Sequence, residues 1–123
     1  MYQHYNPNPN GIYTGDCVIR AVSKAMGISW DDAYINLVLE GYVLKDMPSA
    51  NSVWSSYLMR NGFDRVQIDC PKCFSFAQFV SDNPSGTYVL CTGTHVATAI
   101  DGRLYDAWDS SAQPVLYAFR RRS

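Results

Sequence analysis

Residues 15–27, GDCVIRAVSKAMG, decide how the rest of this chain must pack. They carry one apolar stripe at the three- and four-residue spacing of a helix with a buried face: Val18, Ala21, Val22 and Ala25. Gly27 is placed to end that helix, and Asp16 is placed to cap its start. Cys17 therefore lies in the first turn, where free backbone N–H groups and the helix dipole stabilise a thiolate.

The elements downstream of this helix predict an α+β domain. Ser29 and Asp32 form a capping box that starts a second helix, which runs to about Glu40 and is ended by Gly41. A third helix is expected from about Ser49 to Asn61. The remaining segments are predicted as a brief helical turn at 76–80 and strands at 63–69, 87–91, 95–100, 103–108 and 115–119. Helices followed by an antiparallel strand meander indicate one α+β domain spanning residues 1–123.

The dipeptide Asp101-Gly102 fixes the register of the late strands. As a two-residue hairpin loop it places Ala97 opposite Asp106. Since residues two apart share a face, His95 and Asp106 become diagonal neighbours within hydrogen-bonding reach. Strict alternation turns Asp109 to the other face, but a bend after the strand would make it an alternative acid for orienting His95.

Cysteine, histidine and aspartate in this order suggest nucleophilic catalysis. Cys17 is the candidate nucleophile, His95 the base and Asp106 the group that orients the imidazole. Of the two histidines, only His95 lies in a predicted strand. The backbone N–H of Cys17 is a natural oxyanion donor, and a second donor is expected from the preceding loop. Its candidates are Asn10, Tyr13 and Thr14.

Each of these residues also has a purely structural interpretation. A free cysteine is among the most buried residue types, so Cys17 alone is equally well a small core residue. A lone strand histidine or aspartate is more often structural than catalytic. Arg20, one turn after Cys17, is expected to pair with Asp16 or Asp31. The joint pattern favours the catalytic interpretation over these.

The segments Gly15-Asp16-Cys17, Gly93-Thr94-His95-Val96 and Leu104-Tyr105-Asp106 resemble the papain-like cysteine peptidase superfamily. The similarity is to its small bacterial and phage members, such as bacteriocin-leader peptidases and NlpC-type hydrolases. It implies a papain-like fold and a thiol hydrolase or acyltransferase that forms an acyl-enzyme on Cys17 and needs no cofactor or metal. The substrate would be a peptide or protein. The chain departs from the pattern because the stretch shortly before the nucleophile, residues 10–14, holds no glutamine, and because the chain is short enough that a partner protein could complete its cleft.

Cys70-Pro71-Lys72-Cys73 is a second motif with chemistry. A CxxC pair is half of a zinc site or a redox couple. Zinc would need Cys91 with His95 or His4 as further ligands, which would consume the proposed base. An inert or adventitiously oxidised loop pair is the preferred interpretation, and Cys91 is expected to pack in the core. The rival functions are therefore a non-catalytic binding protein on the same fold and a zinc-stabilised module.

Composition excludes several other classes. A net charge of −1 and a pI near 6.0 argue against a nucleic-acid surface, and the only basic run is Arg120-Arg121-Arg122 at the chain end. No apolar segment approaches the ~20 residues of a membrane span, and the N-terminus lacks the features of a secretory signal. The sequence predicts a soluble, cytoplasmic protein whose cysteines are reduced unless they bind metal or react.

Overall fold

Residues 1–123, all of which the computed structural model describes, form four helices and six strands, with three consecutive helices in the first half and four consecutive strands at the end. The helices are α1 (Cys17–Met26), α2 (Trp30–Leu44), α3 (Asn51–Arg60) and α4 (Phe76–Asp82). The strands are β1 (Tyr2–His4), β2 (Phe63–Val66), β3 (Thr87–Cys91), β4 (Val96–Ile100), β5 (Arg103–Asp106) and β6 (Tyr117–Arg121). The expected α+β class is confirmed.

The six strands form one mixed sheet in the order β1-β5-β4-β3-β6-β2. All neighbours are antiparallel except β1, which runs parallel to β5 and pairs Tyr2 with Leu104 and His4 with Asp106. The expectation that only His95 belongs to a strand was wrong: His4 lies in β1, and His95 lies just before β4. The hairpin register is confirmed, since Ile100 pairs with Arg103 across the turn.

Helices cover both faces of this sheet. The first three helices pack on one face, where the buried residues include Val22, Leu37 and Trp54 beside Val89 and Phe119 of the sheet. On the other face α4 packs over a smaller cluster that includes Phe76, Leu90 and Leu104. The central strands β3, β4 and β6 therefore contribute alternate residues to two apolar layers. None of the four helices is both long enough and apolar enough to cross a lipid bilayer.

Helix α2 is longer than the sequence predicts. Ser29 caps it as expected, with its hydroxyl accepting from the Asp32 N–H at 3.0 Å. Gly41 does not end it. A Cβ at Gly41 would lie 2.6 Å from the Asp46 carbonyl oxygen. The glycine therefore stands within the helix and lets the loop that follows α2 pack closely against it. The left-handed end residue is Lys45, at φ 59°.

The other boundaries differ by a few residues. Helix α3 begins at Asn51 rather than Ser49, and its inward residues are buried as the spacing predicts. The predicted strands at 63–69 and 103–108 are shorter in the structure. The last strand is displaced to Tyr117–Arg121 because the backbone of Val115 bonds instead to Phe74 and Lys72 in the loop before α4.

Candidate active site

The start of α1 leaves backbone donors free beside Cys17. Asp16 occupies the N-cap position, but its carboxylate does not cap the helix. It accepts instead from Arg20 Nη1 at 2.5 Å and from Trp30 Nε1 at 2.9 Å. The expected capping role of Asp16 was therefore wrong. Because the carboxylate is held elsewhere, the backbone N–H groups of Cys17 and Val18 have no hydrogen-bond partner in the protein.

The packing of α1 on the sheet determines where Cys17 lies relative to β4. The apolar stripe of α1 is buried as predicted. Thr98 of β4, fully buried, donates its hydroxyl hydrogen to the Ala21 carbonyl at 2.7 Å. This bond fixes the helix against the strand one turn beyond the cysteine. The start of the helix thereby meets the start of the strand, where the Val96 backbone lies close enough to the Cys17 sulfur to lower the pKa of the thiol.

The His95 imidazole lies between the thiol and a buried carboxylate. Its Nε2 is 2.6 Å from Asp106 Oδ2, and its ring lies close enough to Cys17 to lower the pKa of the thiol. With Nε2 engaged by the carboxylate, Nδ1 is the ring nitrogen available to the sulfur. The Trp108 ring lies against the imidazole with the centroids 4.6 Å apart. The His95 side chain is only 13% exposed, so little of the imidazole surface contacts solvent.

Asp106 is held as an anion by the donors around it. It is 1% exposed and accepts from His95, from Arg20 Nη2 at 2.9 Å, from the Ser110 hydroxyl at 2.5 Å and from the Ala107 N–H at 2.8 Å. Both carboxylate oxygens are therefore satisfied. A buried carboxylate with this many donors is rigid and stays charged.

Electrostatics within the triad favour separated charges. Burial raises the pKa of the Cys17 thiol, but the hydrogen bonds from His95 and Val96 and the charges of His95 and Arg20 lower it below the usual value. Burial opposes the charged imidazole, yet the hydrogen bonds with Asp106 and Cys17 raise the pKa of His95 to about 9.

The orienting acid keeps its charge in this arrangement. Burial raises the pKa of Asp106, while the hydrogen bonds from His95 and Ser110 and the neighbouring positive charges lower it below the usual range. The arrangement is that of a thiolate–imidazolium pair supported by a buried carboxylate.

The structure brings Cys17, His95 and Asp106 together and leaves Asp109 outside. The Asp109 carboxylate is exposed and accepts from the Ser111 N–H at 3.1 Å. The proposed alternative role of Asp109 was therefore wrong, because the bend after Trp108 turns this residue to solvent.

The three loop candidates for a second oxyanion donor are bound or exposed. The Tyr13 hydroxyl donates to the Ala107 carbonyl at 2.8 Å. The Asn10 N–H donates to the Asn8 side chain at 2.9 Å, and Thr14 is exposed with its carbonyl accepting from the Asp16 N–H. Of the donors at the helix start, the unpartnered N–H of Cys17 is the one adjacent to the sulfur.

The remaining cysteines lie apart from the triad chemistry. Cys91 is fully buried, as expected, and its sulfur accepts from the Gly93 N–H at 3.2 Å. Cys70 and Cys73 form a disulfide, which is the oxidised form of the loop pair that the sequence predicts. No group of three metal-ligating side chains occurs in the structure, so the CxxC pair has no neighbours with which to hold zinc.

Sequence reasoning missed three contributors to the site. Arg20 pairs with Asp16 as expected, but it also bridges to Asp106, 86 residues away in the chain. Ser110 and Trp108 complete the surroundings of the imidazole and its acid. The available signal was Arg20 itself, a charged residue within the otherwise apolar run 18–22 of the helix, because such a position requires a buried counter-charge.

Comparison with known proteins returned no relatives. No protein-family model matches the sequence, no curated protein matches it, and no solved structure matches the fold.

Proposed function

We propose that this protein is a cysteine hydrolase of papain-like architecture, most naturally a peptidase or isopeptidase that cleaves an amide through a thioester. One observation carries the proposal: the His95 imidazole lies beside the thiol of a helix-start cysteine, whose pKa it lowers, and is hydrogen-bonded at 2.6 Å to a buried carboxylate. A purely structural cysteine requires none of these three features. Nucleophilic cysteine catalysis requires all of them.

In the proposed mechanism the Cys17 thiolate attacks the carbonyl carbon of the substrate amide. The oxygen becomes an oxyanion that accepts from the free backbone N–H of Cys17. As the intermediate collapses, the C–N bond breaks and His95 Nδ1 gives its proton to the departing amine. The product of this half-reaction is a thioester with a neutral imidazole beside it.

Hydrolysis of the thioester uses the same groups in reverse. Neutral His95 takes a proton from water as the water oxygen attacks the carbonyl carbon. The C–S bond then breaks, and the acid product leaves with the thiolate–imidazolium pair restored. Asp106 keeps its charge throughout, because its role is to hold the ring orientation and stabilise the imidazolium. Arg20 and Ser110 hold Asp106 in place.

An open cleft of about 470 Å³ near the start of the catalytic helix can hold only a part of the substrate away from the reacting atoms, since neither Cys17 nor His95 lines it. It lies between the loop that precedes α1 and the start of α2, where Trp30 and Tyr34 stack with ring centroids 5.2 Å apart. A shallow, open cleft suits an extended peptide better than a small enclosed ligand. The cytoplasmic location expected from the sequence stays a prediction.

Trapping the acyl-enzyme tests the proposal without knowledge of the natural substrate. With p-nitrophenyl acetate as acyl donor, intact-mass analysis should show one acetyl group, and peptide mapping should place it on Cys17. Release of p-nitrophenol should continue beyond one equivalent as the thioester hydrolyses. His95→Ala should slow turnover by about 10²–10⁴-fold.

Two further variants serve as controls for this experiment. Cys17→Ala should show no burst, whereas Cys91→Ala should behave as the wild type because its sulfur is enclosed in the core. Acetylation of Cys17 at the same rate in the wild type and in His95→Ala would reject the hydrolase. A single equivalent released with no turnover would favour the non-catalytic binding protein.

A further inference from the structure

The outward surface of α2 is apolar from Tyr34 to Val43. Six residues form this surface, which we call the α2 outer face: Tyr34, Ile35, Val38, Leu39, Tyr42 and Val43. They are between 38% and 72% exposed. The only charged residue in the stretch 34–43 is Glu40, which points inward and is bound by Arg60 and Ser56. A helix that is apolar on both its inner and its outer surface normally has a second packing partner.

The exposed area is large enough for a stable complex. The exposed apolar surface continues beyond the α2 outer face to Leu44 and Met47. These two residues follow at the end of the helix and are 45% and 68% exposed. Together these side chains expose on the order of 800 Å², which is the area each protein contributes to an interface of standard size. Apolar patches on proteins that remain monomeric are usually smaller.

The order of residues on α2 makes this face complementary to itself. Asp31 and Lys45 each lie seven residues from Val38, and Tyr34 and Tyr42 each lie four residues from it. Two α2 helices running antiparallel about a two-fold axis at Val38 therefore place Tyr34 opposite Tyr42. The same axis places Asp31 of each copy opposite Lys45 of the other.

Neither Asp31 nor Lys45, at the two ends of α2, is paired with an opposite charge within the chain. Asp31 is exposed and forms no salt bridge within the chain. The Lys45 ammonium rests over the Tyr42 ring, 3.9 Å from its centroid, and the neighbouring Asp46 is turned into its own loop by bonds from Met47 and Ser52.

A groove beside the face gives room for interdigitation. It lies between α2 and α3, has a volume of about 400 Å³, and is walled by Leu39, Val43 and Leu44. Its polar floor is the pair of Glu40 with Arg60, whose atoms already bond to each other at 2.6 Å. Covering the groove therefore buries apolar surface without leaving a charge unpaired.

We propose that a second copy of this chain docks on the α2 outer face, forming a two-fold dimer in which the α2 helices pack antiparallel about Val38. The area, the absence of outward charge and the matched Asp31 and Lys45 positions all fit a self-complementary interface. Because Asp31 and Tyr34 also line the cleft beside the catalytic helix, the end of α2 in the second copy borders that cleft. This dimer does not depend on the proposed hydrolase activity.

Sedimentation velocity with the full chain tests the dimer. Interfaces of this area have Kd values from micromolar downwards, so dimer should dominate at about 100 μM. Val38→Glu places two carboxylates at the axis and should weaken the dimer more than about a hundredfold. Tyr42→Glu, at a more exposed position, should do the same if the first variant folds poorly. Phe74→Glu, an equally polar change at an exposed residue outside α2, should leave the dimer intact.

Charge reversal tests the antiparallel register. Lys45→Glu opposes Asp31 with a like charge and should weaken the dimer about tenfold at low salt, less at high salt. Adding Asp31→Lys in the same chain should restore it. A protein that is monomeric at every concentration would overturn the proposal, and if that monomer co-sediments with phospholipid vesicles the face binds lipid instead. A dimer whose dissociation constant is unchanged by both Val38→Glu and Tyr42→Glu would also overturn the proposal.

Discussion

Replacing Arg20 with methionine removes the cation that joins the catalytic acid to the start of the catalytic helix. Arg20 is 6% exposed and bonds to two carboxylates that are 5% and 1% exposed. Breaking a buried ion pair typically costs about 3–5 kcal/mol. Here Asp106 keeps three donors and Asp16 keeps Trp30, so we expect a loss near the lower limit, about 3 kcal/mol of unfolding free energy.

Urea unfolding measures this loss, and for a chain of this size it corresponds to a fall in Tm of about 10 °C. Arg122→Met is the matched control, since its pair with Asp64 has a distance of 2.6 Å but both side chains are more than half exposed. That control should lose less than about 1 kcal/mol. Adding Asp16→Asn to Arg20→Met should recover part of the loss, because it removes one unpaired charge. Equal losses in Arg20→Met and Arg122→Met would refute the reasoning.

Three further predictions follow from individual contacts. Asp106→Asn should lower the pKa of His95 from about 9 by more than about one unit, since burial then opposes the imidazolium with no carboxylate to favour it; NMR titration of the ring protons measures this. Gly41→Ala should cost about 2 kcal/mol in urea unfolding, because its Cβ would meet the Asp46 carbonyl oxygen at 2.6 Å; unchanged stability would contradict the close approach. The pKa values of Asp106 and Glu40 are lowered in the folded state. Their contribution to stability is therefore present above about pH 4, where these groups ionise in the unfolded chain, and is lost as the pH falls through the pKa values of the folded state. Unfolding midpoints measured from pH 7 to pH 2 should show this decline.

Local patterns predicted the parts of the fold that local forces determine. The apolar stripe of α1 and the Asp101-Gly102 turn each depend on residues within one turn of chain, and both appear in the structure where the sequence placed them. The hairpin register in turn brought His95 and Asp106 together. Neighbouring residues alone are sufficient for such predictions.

Long-range contacts account for the parts that were missed. Strand β1 exists because three residues at the N-terminus pair with β5 about a hundred residues later, and no periodicity marks so short a segment. Gly41 has the composition of a helix end, but the loop after α2 approaches it so closely that only glycine fits within the helix. The bond between Arg20 and Asp106 spans a helix and a strand, so its second member could not be read from either element alone.

The most direct test of the account is the pKa of the Cys17 thiol, measured from the rate of iodoacetamide alkylation between pH 4 and pH 10 with peptide mapping. Wild-type Cys17 should react as a thiolate well below the usual thiol pKa of about 8.5, and His95→Ala should return the profile to that range. Cys91 should remain unlabelled in the folded protein because it is fully buried. A wild-type profile with an ordinary thiol pKa, unchanged by His95→Ala, would contradict the thiolate–imidazolium pair and the hydrolase built on it.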